Sequence, residues 1–161
     1  LLGPVVDMKT VQRCNALIDD ALNKGARLLC GGKAESTQMR ATLLDGVTRE
    51  MRIWHEESFG PVKSVIRVNG EEEALAVANE SEYGLAAAVY SRDTARAWNV
   101  AQNLQTGICH INGPTVHDEA QMPFGGCKSS GYGRFGGRAG IAEFTELRWI
   151  TMQTRPRELP F

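Results

Sequence analysis

An α/β fold built on parallel strands is what this sequence predicts, and three observations lead there. Strand-like and helix-like stretches alternate through the middle of the chain, in the order strand, helix, strand, helix, strand. One strand candidate, Leu85 to Tyr90 (LAAAVY), is almost continuously apolar, the pattern of a parallel strand covered on both faces. A long glycine-rich stretch follows the last strand, and the carboxyl ends of parallel strands are where such folds place their sites.

The elements follow in order. From Met8 to Lys24, apolar residues recur at Val11, Cys14, Leu17, Ile18, Ala21 and Leu22, one face of a helix that Asp7 can cap and Gly25 can stop. Arg27 to Cys30 is a short strand ending at Gly31-Gly32, and Ala41 to Val47 is a further extended segment. Pro61 to Val68 (PVKSVIRV) is β-branched and apolar. Glu71 to Asn79 is a helix with three acids in its first turn, where the helix dipole favours them. Asp93 caps the next helix, which carries Ala97, Val100, Ala101 and Leu104 inward, and Gly107 to Asn112 (GICHIN) is the third strand of the series. Gly113 to Gly137 has no sustained periodicity and is too long for a plain connector. Arg138 to Ala142 makes a helical turn. Phe144 to Thr154 (FTELRWITMQT) then reads as a strand, and one added after a domain's own sheet is a candidate for pairing with another subunit.

Composition narrows the function classes. The 161 residues suit one domain with a real core, and a net charge of -1 gives no reason to expect nucleic acid or a membrane surface as partner. No apolar run approaches the ~18 residues of a spanning helix. The start, Leu1-Leu2-Gly3-Pro4, has neither an initiator Met nor a secretory signal and reads as cut from something longer. Cys14, Cys30, Cys109 and Cys127 form no CxxC, and His55, His110 and His117 form no zinc signature. The expectation is reduced cysteines in a cytoplasmic protein without a metal.

Three local motifs invite chemistry. Gly131-Tyr132-Gly133-Arg134-Phe135-Gly136 is a GxGxxG, but a loop precedes it and no acid lies about 20 residues on, so its glycines are read as permitting positive φ and close backbone approach. Cys127 is the better nucleophile candidate among the thiols, since neighbours on a strand such as Cys109 and His110 point to opposite faces; the structural reading is preferred for all four. Glu56 to Pro61 (EESFGP) is either a solvated acidic turn or a carboxylate for sugar hydroxyls with Phe59 as an apolar platform beside it.

Taken together, EESFGP, YGLAAAVY (Tyr83 to Tyr90), GICHIN and PFGGCKSSGYGR (Pro123 to Arg134) resemble the aldehyde dehydrogenase superfamily, collinearly over practically the whole chain. GPTVHDEAQMPFGG and the ending RFGGRAGIAEFTELRWIT look most like the branch that oxidises aromatic aldehydes such as vanillin, benzaldehyde or salicylaldehyde. The resemblance implies oxidation of an aldehyde to the carboxylate with NAD or NADP, through a cysteine thiohemiacetal and thioester. It places Glu57 on the ribose of the nicotinamide side, Phe59 near that ring, Phe124 in the substrate pocket, and Val116 and His117 in the segment that sets specificity.

No cysteine here has the context of the family nucleophile, and the general-base glutamate is absent too, so no catalytic residue is expected in this chain. The resemblance makes residues 1–143 the C-terminal part of the catalytic domain, with 144–161 an oligomerisation strand and tail that joins homo-oligomers through Phe144–Thr154. Such a piece would be inactive alone. Phe135 stands where many members carry a glutamate. The rivals from other classes are a non-catalytic assembly module and a thiol redox protein using Cys127.

Overall fold

The computed structural model describes residues 2–158; Leu1, where the expected catalytic part begins, and residues 159–161, at the end of the expected tail, lie outside them. The chain divides into two compact units, Leu1–Ala74 and Leu75–Phe161.

The first unit gathers on helix α1 (Met8–Asn23). The Thr10 backbone N–H donates to the Asp7 carboxylate at 2.8 Å, satisfying one of the amides that a helix start leaves unpaired. The chain leaves the helix through Lys24 and Gly25, whose φ of 98° only glycine adopts freely. Val11, Cys14, Leu17, Ile18 and Ala21 are buried, while Leu22 at the margin of the face stays partly in solvent. They share one core with Leu44, Val47, Met51, Ile53 and Val62.

Leu44 and Val62 belong to a three-stranded sheet in the order β1 (Arg27–Cys30), β2 (Thr42–Asp45), β3 (Val62–Val65), and Val47, Met51 and Ile53 lie between its last two strands. β1 runs antiparallel to β2, and β3 runs parallel to it. The short helix α2 (Arg52–His55) lies in the parallel connection. Asp45, at the end of β2, is only 1% exposed and accepts from Arg67 Nε and Nη2 at 3.1 and 2.9 Å and from Arg27. Hydrogen bonds from Arg67 and then Arg27 hold its carboxyl at about 2. Two guanidinium groups, one on β1 and one beyond β3, thus meet a single carboxylate on the central strand.

Helix α3 (Glu71–Glu80) runs from the end of the first unit into the second, with Glu71, Glu72 and Glu73 in its first turn. The second unit holds a two-stranded ladder of β4 (Tyr83–Gly84) with a later strand, and then a βαβ unit. In that unit β5 (Ala86–Val89) and β6 (Ile108–Ile111) are parallel, in register from Ala86↔Ile108 to Val89↔Ile111. The crossover is α4 (Thr94–Asn103), capped by Asp93 accepting from the Arg96 N–H, with Ala97 buried against the strands. β4 pairs antiparallel with β7 (Cys127–Lys128), and α5 (Gly137–Glu143) follows.

Two features depart from the expectation for this part of the chain. β5 is only half-buried, because among the described residues β6 is its one hydrogen-bonded neighbour and α4 packs against the pair. The strand expected at Phe144–Thr154 is not formed: Phe144 caps α5, and residues 145–153 have no regular structure. A strand is defined by the ladder it joins, and no other strand among the described residues pairs with this segment. Leu147, Trp149, Ile150 and Met152 stand largely in solvent.

Candidate active site

β6 delivers the chain to the site. Its last residue is followed by Asn112, in the left-handed region at φ 57°, a conformation Asn tolerates better than most residues. The Asn112 side chain fixes that bend by accepting from the Ser91 N–H and donating to the Ser91 carbonyl, both at 2.9 Å. The loop beyond then returns across β6. A cavity of about 410 Å³ lies between them, lined by Gly107, Ile108, Cys109, His110, His117, Asp118, Glu119, Met122, Pro123 and Phe124.

Backbone contacts hold the loop in place. Phe124 and Phe135 exchange both backbone hydrogen bonds at 2.8 Å. One Arg134 Nη donates to the carbonyls of Gly126 and Gly133 at 2.7 Å, and Lys128 Nζ donates to those of Asn79 and Ser81. A Cβ on Gly107 would sit 1.9 Å from the Gly125 carbonyl oxygen, so the loop approaches the start of β6 closer than any side chain allows. The backbone N–H of Arg134, inside the GxGxxG, donates to the Glu143 carboxylate. An acid therefore occupies an amide that a pyrophosphate would need.

Within the cavity, His110 and His117 stand edge to face, with ring centroids 5.6 Å apart and planes at 90°. His110 Nε2 is buried and has no hydrogen-bond partner among the described residues. His117 Nε2 lies 3.4 Å from Glu119 Oε1. Cys109 borders the cavity, and burial pushes its thiol up, away from the nucleophilic thiolate. The Cys127 thiol donates to the carbonyls of Gln105 and Gly84. Burial also raises the Cys14 thiol.

Of the residues singled out in the sequence, His117 and Phe124 meet at this cavity, whereas Val116 is 91% exposed and does not line it. His110, which the sequence reading set aside with Cys109, joins them. Glu57 and Phe59 belong to the first unit, on the turn between α2 and β3. The Arg52 guanidinium there binds Glu56 at 2.7 and 2.9 Å, while the neighbouring Glu57 is exposed and engaged by no group among the described residues. Phe59 has φ 47° and 71% exposure, and Arg13 stacks 5.5 Å from its ring centroid. The turn is anchored beneath: Arg13 Nε donates to the Ser58 carbonyl, Ser58 Oγ bonds to the Gly60 and Val62 carbonyls, and Gly60 packs against Cys14. A carboxylate that only accepts, left free beside an apolar ring on a stiff turn, fits the vicinal hydroxyls of a ribose.

No group of three or more His, Cys, Asp and Glu among the described residues could hold a metal ion, and no helix there is long and apolar enough to cross a membrane.

Known proteins are similar to this chain in sequence and in fold. The model of the aldehyde dehydrogenase family matches residues 1–150. A vanillin dehydrogenase of Pseudomonas fluorescens is 61% identical over 160 residues, which are 99% of this chain and 33% of that protein. The crystal structure of a salicylaldehyde dehydrogenase from Pseudomonas putida G7, complexed with salicylaldehyde, superposes with a TM-score of 0.92 at 50% identity, covering 99% of this chain and 33% of that one. An aldehyde dehydrogenase of Mycobacterium tuberculosis complexed with NAD+ gives a TM-score of 0.83 at 37% identity, over 90% and 31% of the two chains. The chain thus spans about a third of the length of the curated relatives it matches.

Proposed function

Because the chain belongs to the aldehyde dehydrogenase family, we propose that it walls the active site of an NAD- or NADP-dependent enzyme that oxidises an aromatic aldehyde to its carboxylate. The observation that carries the aromatic reading is the cavity between β6 and the returning loop, whose Ile108, Met122, Pro123 and Phe124 give a ring an apolar bed. Val116, on the same loop, is proposed to reach the substrate with His117 when the aldehyde is bound. Glu57 accepts the ribose hydroxyls of the cofactor, and Phe59 packs beside its nicotinamide. The bound cofactor supplies the hydride acceptor.

The roles of these residues are binding, orientation and exclusion of water. Residues 1–143 form the C-terminal part of the catalytic domain in this reading, and the nucleophilic cysteine and the general base come from sequence outside them. The states of the cysteines support this division: Cys14 and Cys109 are held as thiols by burial, and Cys127 donates to carbonyls. The proposed setting is the cytoplasm, where free cysteines stay reduced. The tail from residue 144 joins a homo-oligomer, its apolar side chains covered by a second copy.

The test is steady-state oxidation of benzaldehyde, vanillin and salicylaldehyde by the full-length enzyme with NAD and with NADP. Turnover of an aromatic aldehyde with either cofactor supports the reading, and indifference to all three aldehydes overturns it. The isolated 161-residue chain is expected to form no reduced cofactor above a protein-free control. Removing residues 144–161 from the full-length enzyme should lower its solution mass to that of the monomer; an unchanged oligomer sinks the tail assignment.

A further inference from the structure

Resting on the aldehyde-oxidising reading, we infer that His110 and His117 form the hydroxyl-recognition element of this cavity, selecting a neutral aromatic aldehyde with a ring hydroxyl over unsubstituted and carboxylate-bearing ones. The starting point is the buried Nε2 of His110, which has no partner among the described residues. A desolvated imidazole nitrogen without a hydrogen bond carries a penalty that a ligand group can remove. His110 lies on the wall of the cavity, and the ring of His117, from the returning loop, meets it at 90°. A group that parts the returning loop from the strand at this point meets both rings and uncovers the His110 nitrogen.

The chemistry of that group follows from the two imidazoles. The Glu119 carboxylate can only accept, so in the neutral ring its contact with His117 Nε2 calls for a proton on that nitrogen and leaves the Nδ1 lone pair as an acceptor. His110 Nε2 donates in one tautomer and accepts in the other. A hydroxyl both donates and accepts, so it satisfies His110 in either tautomer and can bridge to His117. A carbonyl or an ammonium matches only one of these arrangements. The apolar side chains of Ile108, Met122 and Phe124 receive the ring that carries the hydroxyl. Asp118 and Glu119 line the same cavity and no Lys or Arg among the described residues does, so an aldehyde that also carries a carboxylate meets like charge.

The experiment compares kcat/KM of the full-length enzyme for benzaldehyde, its ortho-, meta- and para-hydroxy derivatives, and para-carboxybenzaldehyde. At least one hydroxy isomer should exceed benzaldehyde by about 10- to 100-fold, the range of one or two hydrogen bonds to a buried partner. Para-carboxybenzaldehyde should be the poorest of the five. His110→Phe should collapse the hydroxy-to-unsubstituted ratio towards one, mainly through KM, and His110→Gln should restore part of it. If His110→Phe does not fold, His117→Phe on the exposed loop carries the same expectation for the ratio. A wild-type enzyme indifferent to the hydroxyl, or a His110→Phe enzyme that keeps the full ratio, overturns this inference alone. Failure to oxidise any aldehyde overturns the proposed function and this inference with it.

Discussion

Replacing Gly107 by alanine is the sharpest probe of the loop that walls the cavity. The new methyl group would lie 1.9 Å from the Gly125 carbonyl oxygen and 2.9 Å from the Gly126 Cα, both backbone atoms that no rotamer change can move. Restoring an ordinary contact requires the strand and loop to separate by more than about 1 Å, an overpacking strain of about 1–3 kcal/mol. Phe124 immediately precedes Gly125, so the wall moves with it. A displacement of about 1 Å in a positioning element can cost roughly 100-fold in rate. Gly107→Ala should therefore lower kcat/KM for an aromatic aldehyde by about that factor in the full-length enzyme, with a reduced thermal midpoint. Gly140→Ala is the matched control. It adds the same methyl inside α5, where its nearest contact is an ordinary 3.7 Å, and helix propensity favours alanine. Both are read by absorbance of the reduced nicotinamide and by thermal unfolding. A Gly107→Ala enzyme with the kinetics of the wild type would refute the claim that close backbone approach positions Phe124.

Two further outcomes are expected. The Asp45 carboxyl is held at about 2, below its ordinary 3.8, so its stabilisation is complete above the ordinary value and is lost as pH falls through about 2. Thermal midpoints taken from pH 5 downwards should fall more steeply for wild type than for Asp45→Asn, and parallel curves would contradict the two-arginine clamp. Glu57→Gln should raise KM for the nicotinamide cofactor about 10-fold, since it weakens a charged hydrogen bond, while leaving the Arg52–Glu56 pair and the thermal midpoint in place. An unchanged cofactor KM would remove Glu57 from the cofactor site.

Much of this structure was legible because its signals are local. The Asp7 cap, the inward face of α1, the Gly25 stop and the Asp93 cap of α4 each depend on residues within a turn or two of one another, and each is present. The alternation of strand and helix correctly implied the parallel pairing of β5 with β6 across α4, whereas the parallel pairing of β2 with β3 lay outside that pattern. Pairings between distant residues left no such trace. The β4–β7 ladder joins Gly84 to Cys127 through two residues on each side, too few for a period to register. Phe144–Thr154 was read as a strand from residue preference and from resemblance, as one that pairs with another subunit, and neither source supplies a neighbouring strand within the chain itself.

The site divided in the same way. Phe124 and His117 were identified through resemblance and do border one cavity, but Val116 next to His117 points into solvent. His110 was passed over because a strand sends Cys109 and His110 to opposite faces, and attention stayed on the thiol. Its signal was a histidine inside an apolar strand, with a second histidine on the loop that folds back over it. Between Glu56 and Glu57 the sequence offered no choice without the family; the geometry separates them, since Arg52 takes one and leaves the other free.

Phe59 carries an implication for engineering. At φ 47° a bulky residue is held where glycine would rest without strain, and its ring contributes little burial at 71% exposure. A selection that rewards heat resistance alone would accept glycine there, since it relieves the strain at the cost of some chain entropy. If the ring packs beside the nicotinamide as proposed, a selection that rewards catalysis would keep it, and position 59 is then a place where durability and turnover pull the sequence in opposite directions.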